Sequence, residues 1–291
     1  MHYTGSVVRP PHEAGSVLLE VTVGCTHNRC AFCHYYRDDV FKLAPMAQIE
    51  ADLAEVRAVY PLAPRVFALG ADAFVLSFER LKLLAQTIRR FLPQASIGMY
   101  ARITSMRNKS VEQMRELHAL GIDDLVIGVE SGDDEVLERV NKGYSASDIV
   151  AQCRRLEDAG IAYRVLYIGA LAGKGKGEQN ALRSASVLNR IRPTHLMLSS
   201  LTLMPGTELH QDLREGRFEE ASELERMQEL LTLVRNLEGP IVVLGNHVSN
   251  AVPFVAELPR DKDQLVSMLE QVVAHLDEDA YRTRREQLRV L

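Results

Sequence analysis

The chain has no tryptophan, and phenylalanine and tyrosine together make up 6% of its 291 residues. It has no uncharged apolar run near the roughly 18 residues of a membrane span, so no membrane association is expected. Met1-His2-Tyr3-Thr4-Gly5-Ser6 is followed by no apolar core, so no secretory leader is expected either. There is no surplus of positive charge. Lys and Arg number 34 against 39 Asp and Glu, a formal net charge of −5. A sequence-independent hold on nucleic acid needs a basic face, so nucleic acid is not an expected partner. Low-complexity tracts and short-period repeats are missing too. Only four cysteines occur, three of them within nine residues, which is no disulfide framework; the expected compartment is the reducing cytoplasm.

What is present is an ordinary globular composition, 46% hydrophobic and 25% charged, organised around Cys25-Thr26-His27-Asn28-Arg29-Cys30-Ala31-Phe32-Cys33. This C-x4-C-x2-C stretch follows an apolar run, residues 17–23. Three thiolates so close can share one metal centre. They are one ligand short of a closed structural zinc site and one short of a fully ligated iron–sulfur cluster. His27 or His34 could complete a zinc site; otherwise a ligand from outside the triad fills the open position.

Along the chain, strand patterns alternate with helix patterns. Strands are expected at residues 17–23, 65–69, 95–100, 124–129, 162–168 and 195–201, and helices at 46–59, 78–91, 111–120, 146–159 and 178–191. Such alternation builds parallel sheets through right-handed crossovers, with ligands at the carboxyl ends of the strands. The chemically suggestive residues fall there: the cysteines, then Gly70-Ala71-Asp72, Arg102, Glu130 and the glycine-rich stretch from Gly169 to Gly177. A lead-in (residues 1–16), a barrel-like unit (17–205) and a small C-terminal appendage (206–291) are expected. The appendage has helices near 221–237 and 264–276 and a short strand at 241–244.

The cysteine triad after the first strand, the aromatic Phe32 just before its last member and the six-unit βα pattern resemble the radical S-adenosylmethionine enzymes over residues 17–205. The resemblance implies an α/β fold, a partial (β/α)6 TIM-like barrel. It implies a [4Fe–4S] cluster held by Cys25, Cys30 and Cys33, with S-adenosyl-L-methionine as the missing ligand. Phe32 matches the aromatic near the adenine, and Gly70, Ala71 and Asp72 stand where the family receives the methionyl ammonium. Glu130 looks like the carboxylate for the ribose hydroxyls, although a carboxylate there also suits a helix N-terminus. Gly169 and Leu171 belong to a stretch similar to the family's adenine-side glycine motif. Arg154 or Arg164 would pair with the methionyl carboxylate.

By the same resemblance, an electron from a flavodoxin or ferredoxin leads to methionine and a 5′-deoxyadenosyl radical, which takes hydrogen from a substrate, expected to be a small molecule. The C-x4-C spacing departs from the commoner C-x3-C and is similar to elongator-type branches. The chain as a whole looks like short stand-alone members related to the haem-biosynthesis oxidase branch. Readings of other classes are a non-catalytic iron–sulfur carrier or sensor, and a radical enzyme acting on RNA or protein. Cys153 sits in a helix pattern as a small core residue, and His247, Ser249 and Asn250 are candidate pocket residues.

Overall fold

A computed structural model describes residues 1–288. In chain order the elements are β1 (Val17–Glu20), β2 (Thr22–Val23), β3 (Lys42–Leu43), α1 (Met46–Val59), β4 (Arg65–Leu69), α2 (Phe78–Phe91), β5 (Ser96–Ala101) and α3 (Val111–Ala119). They continue with β6 (Ile122–Glu130), α4 (Asp134–Arg139), α5 (Ala146–Ala159), β7 (Ala162–Gly169), α6 (Gly177–Leu188) and β8 (His195–Ser200). The last are α7 (Glu208–Arg214), α8 (Glu223–Asn236), β9 (Ile241–Leu244), β10 (Val255–Leu258), α9 (Lys262–His275) and α10 (Glu278–Glu286). The fold is α/β. Its main sheet has eight strands in the order β1-β4-β5-β6-β7-β8-β9-β10, and β2 and β3 form a separate ribbon. The described residues divide into two compact units: Met1–Arg29, Cys33–Ile127 and Arg154–Tyr163 form one; Cys30–Phe32, Gly128–Cys153 and residues 164–288 form the other.

In the first unit β1, β4, β5 and β6 run parallel, with Val17 opposite Val66 and Arg65 opposite Ser96. Leu19, Val66, Phe67, Ala68, Ile97 and Met99 are buried, as expected of strands covered on both faces. Ser77 caps α2 by accepting the Arg80 N–H, and a Ser110–Gln113 capping box starts α3. The apolar stripe of α2, Leu81, Leu84, Ala85 and Ile88, is buried. At the amino ends of the strands Arg65 gathers charge. Its guanidinium donates to Glu13 (2.7 Å), Asp123 (3.3 Å), Asp124 (3.1 Å) and Ser96 Oγ (3.1 Å). Burial opposes ionisation of Glu13, but the hydrogen bonds from Arg65 and Ser16 prevail and hold its carboxyl below the usual range. The lead-in is therefore an anchored segment of this unit.

In the second unit β7, β8 and β9 are parallel and β10 is antiparallel to β9. Two readings of the sequence change, one in each unit. The expected strand of residues 17–23 is broken, because after Val21 the chain pairs Thr22 with Leu43 and Val23 with Lys42 in the small ribbon. The strand expected in the appendage, β9, lies beside β8 in the main sheet and carries β10 with it. Four residues alternating exposed and buried are too few to give β10 a visible signature.

Candidate functional site

Cys25, Cys30 and Cys33 are each partly exposed, and none is in a disulfide. Cys25 and Cys33 belong to the first unit and Cys30 to the second. Asn28, with a left-handed φ of +45°, turns the loop so that its N–H lies 3.4 Å from Cys25 Sγ while its side-chain amide donates to Tyr36 O at 2.9 Å. In the second unit the cysteine loop is fastened by its backbone. Ala31 N–H donates to Val140 O (3.0 Å) and Ala31 O accepts Leu209 N–H (2.8 Å). Ala31 joins an apolar cluster with Val136, Leu171, Leu201 and Phe218, against which Phe32 packs.

The carboxyl end of β4 carries Gly70-Ala71-Asp72. Gly70 has φ +134°, and a Cβ there would stand 1.8 Å from Thr22 Oγ1, so a side chain is excluded twice over. Asp72 is 1% exposed. It accepts Ser105 Oγ (2.5 Å), Arg102 N–H (3.1 Å) and Thr26 Oγ1 (3.4 Å). Burial pushes its carboxyl up against the pull of these donors. In this structure Asp72 thus ties the ends of β4 and β5 to the cysteine loop through its own chain's donors.

Lys109, 2% exposed, donates to Phe74 O (2.8 Å) and Ser105 O (3.0 Å) and lies 4.6 Å from the Phe74 ring centre. Burial lowers its pKa to about 8, with the Asp72 charge resisting. The unfolded chain then holds one more proton than the folded chain between pH 8 and 10.5. Stability attributable to Lys109 therefore rises with pH across that window, by an amount on the order of 3 kcal/mol. In thermal melts from pH 7 to 11, the parent is expected to gain on Lys109→Met as pH passes from 8 to 10.5. Parallel profiles for the two proteins refute this.

The second unit holds a tighter constellation. Glu130, at the carboxyl end of β6, has φ +66° and is 7% exposed. Its Oε1 accepts Lys142 Nζ at 2.9 Å. Gly128 leaves the room, since a Cβ on it would fall 2.3 Å from that same oxygen. Lys142 arrives through the end of α4: Asn141 takes φ +53° and Lys142 N–H donates back to Leu137 O at 2.9 Å, a left-handed helix stop. Its ammonium lies 5.7 Å from the Phe32 ring centre and 5.8 Å from that of Tyr144, within cation–π range. Burial works to lower the pKa of Lys142, but the charges of Glu130 and Cys30 with Tyr144 leave it raised.

Gly169, the last residue of β7, is followed by Ala170 with φ +64° and by the fully buried Leu171. The N–H groups of Lys174 and Gly175 in the glycine-rich stretch are taken by Glu219 O (2.9 Å) and a Glu225 carboxylate oxygen (2.8 Å). The stretch is thus pinned to its own chain rather than left open as a phosphate cradle. Beneath it lies Glu229, 1% exposed, whose carboxyl burial pushes up despite hydrogen bonds from Tyr167, Ala170 and Asn180. Ser249 and Asn250 line a small crevice with Tyr167, Ser200 and Arg226.

The two arginine candidates are placed differently. Arg154 is exposed on α5. Arg164 lies near the amino end of β7, opposite His195, about 16 Å of strand short of Gly169. Lys142 is the cation beside Glu130 and Phe32. Sequence reasoning passed over it because it stands in a loop with no motif; its one signal was the Asn-Lys-Gly turn after α4.

Curated relatives include the heme chaperone HemW of Bacillus subtilis (strain 168), 23% identical over 154 residues that make up 52% of this chain and 40% of the relative. Another is the dual-specificity RNA methyltransferase RlmN of Acidiphilium cryptum (strain JF-5), 23% identical over 67% of this chain and 53% of the relative. The chain thus spans about half or less of the length of these relatives. Among solved structures, the radical S-adenosylmethionine methyltransferase TsrM from Kitasatospora setae, with cobalamin and a [4Fe–4S] cluster bound, has the same fold over 69% of this chain and 37% of its own. The TM-score is 0.56 and the identity 17%. The sequence profile of the Radical SAM superfamily matches residues 19–185, more than half of the chain, and the protein therefore belongs to that superfamily.

Proposed function

We propose that the protein is a radical S-adenosylmethionine enzyme whose [4Fe–4S] cluster is held by Cys25, Cys30 and Cys33 and whose substrate is a small molecule. The observation that carries the reading is the arrangement within the second unit: Cys30 and Phe32 on one short segment, with Lys142 over the Phe32 ring and bound to Glu130. The donor set fits the group, being three partly exposed thiols on one nine-residue segment, the number that leaves a cubane cluster one protein ligand short. With S-adenosylmethionine as the outside ligand, a bound cluster supplies reductive cleavage of the sulfonium to methionine and a 5′-deoxyadenosyl radical.

Around that chemistry, this chain's residues bind and orient. Glu130 offers a carboxylate for a vicinal diol. Phe32, Gly169 and Leu171 offer apolar surface and backbone for adenine. Gly70, Ala71 and Asp72 frame the ammonium side, where the buried Thr22 hydroxyl lacks a hydrogen-bond partner. Lys142 takes the place of Arg154 or Arg164 as the cation for the methionyl carboxylate. A flavodoxin or ferredoxin supplies the electron, and the cytoplasm is the expected compartment. Among the described residues no helix is long and apolar enough to cross a membrane. The net charge of −5 supports a small molecule over RNA.

The likeness to a heme chaperone favours a second reading, an iron–sulfur protein that cleaves nothing. One experiment separates the two. After anaerobic reconstitution with iron and sulfide and reduction by dithionite, S-adenosylmethionine is expected to yield 5′-deoxyadenosine and to perturb the cluster's paramagnetic resonance. A well-formed cluster that gives neither result sinks the proposal.

A further inference from the structure

Two of the four non-glycine residues with left-handed backbone among the described residues, Glu130 (φ +66°) and Ala170 (φ +64°), stand at the carboxyl ends of β6 and β7. Left-handed backbone is costly for a residue with a Cβ and persists only where the surroundings enforce it. Here the surroundings of both lead to one side chain on α8. Glu229 Oε2 accepts the N–H of Ala170 itself at 2.8 Å. Its Oε1 accepts Tyr167 Oη (2.6 Å) and the side-chain amide of Asn180 (2.8 Å). That anchorage orients Asn180: its Nδ2 faces Glu229, so its Oδ1 faces the other way and accepts Ser131 Oγ at 2.6 Å. Ser131 Oγ in turn accepts Asp133 N–H (2.9 Å), and Ser184 Oγ, 3.5 Å from Asn180 Oδ1, accepts Gly132 N–H (2.7 Å). The hydrogen bonds thus run in one direction, from the turn after Glu130 through Asn180 to the Glu229 carboxylate, which also holds the turn after Gly169. Ser131, Asn180, Ser184 and Glu229 are all at most 1% exposed, where such a chain is strongest.

We infer that Glu229 is a positioning residue for the cosubstrate, which sets the ribose-side turn at Glu130 and the adenine-side turn at Gly169–Leu171 in one fixed relation without touching the ligand itself. This rests on the reading of those turns as the nucleoside-binding part of a radical S-adenosylmethionine site. The packing of α8 against the sheet alone does not call for it, because an apolar residue would fill the same position without aligning Asn180 or holding Ala170 N–H.

Glu229→Gln keeps the shape of the side chain but presents an NH2 group to donors on one of its two arms. In the reconstituted protein, Glu229→Gln is expected to keep its iron and sulfide content while the Kd for S-adenosylmethionine, by calorimetry, rises about tenfold or more. The KM for S-adenosylmethionine in 5′-deoxyadenosine formation should rise with it and kcat change less. Without the cosubstrate, amides of residues 131–133 and 169–171 should exchange faster with deuterium than in the parent. Tyr167→Phe removes one of the three donors and serves if Glu229→Gln does not fold; a rise of about threefold in Kd is expected, the loss of part of one hydrogen bond. If the parent binds S-adenosylmethionine and a folded variant binds it equally well, with unchanged exchange in both turns, the role given to Glu229 is overturned and the enzymatic reading stands. If the parent does not bind S-adenosylmethionine, the enzymatic reading falls and the role of Glu229 with it.

Discussion

Cys30→Ala is expected to lose the cluster and the cleavage reaction together, with bound iron and 5′-deoxyadenosine both below about a tenth of the parent values. Three thiolates leave a cubane cluster one protein ligand short, and two cannot be made good by an exchangeable cosubstrate. The fold should survive. The segment around Cys30 is held by the backbone bonds of Ala31 to Val140 and Leu209 and by burial of Ala31, none of which uses the sulfur. Far-ultraviolet circular dichroism should therefore overlay that of the parent while the visible charge-transfer absorption disappears. Cys153→Ala is the control. That thiol is fully buried on α5, so its loss leaves a small cavity costing about 1 kcal/mol and a full cluster. A Cys30→Ala protein with full iron content and undiminished cleavage would remove Cys30 from the ligand set.

The parts of the fold legible in the sequence were those with repeated local signals. The helices at Met46–Val59, Phe78–Phe91 and Ala146–Ala159 fall where their apolar spacing and their Pro, Ser or Gly boundaries place them. The parallel order of the strands follows from the alternation. The candidate site was legible where chemistry is concentrated in a short stretch, as in the cysteine segment, or stands directly at a strand end, as with Glu130 and Asp72. It was not legible where a residue acts through distant partners. Lys142 is one lysine among many until the stop of α4 swings it back onto Glu130. Glu229 sits at the middle of an ordinary amphipathic helix, and only the packing of α8 reveals that its carboxylate meets Tyr167, Ala170 and Asn180, at least 49 positions away. Asp72 also shows that a motif residue can be spoken for by its own chain, a fact no spacing rule contains.

The Glu130–Lys142 pair gives the second large expected effect. Both side chains are nearly buried, at 10% and 7% exposure, and they meet at 2.9 Å. Removing one partner strands the other's charge, a loss that runs to about 3–5 kcal/mol for buried pairs. Lys142→Met is therefore expected to lower the Tm by on the order of 10 °C, more than any of the exposed ion pairs would, for instance Arg282 with Glu278. The double variant Lys142→Met with Glu130→Gln buries no stranded charge and should recover most of that loss. S-adenosylmethionine affinity should not recover with it, because the proposed reading assigns the ribose hydroxyls to Glu130 and the methionyl carboxylate to Lys142. The two measurements together separate architecture from binding. Recovery of Tm without recovery of affinity marks the pair as part of the cosubstrate site, whereas a double variant that regains both would reduce it to a structural ion pair.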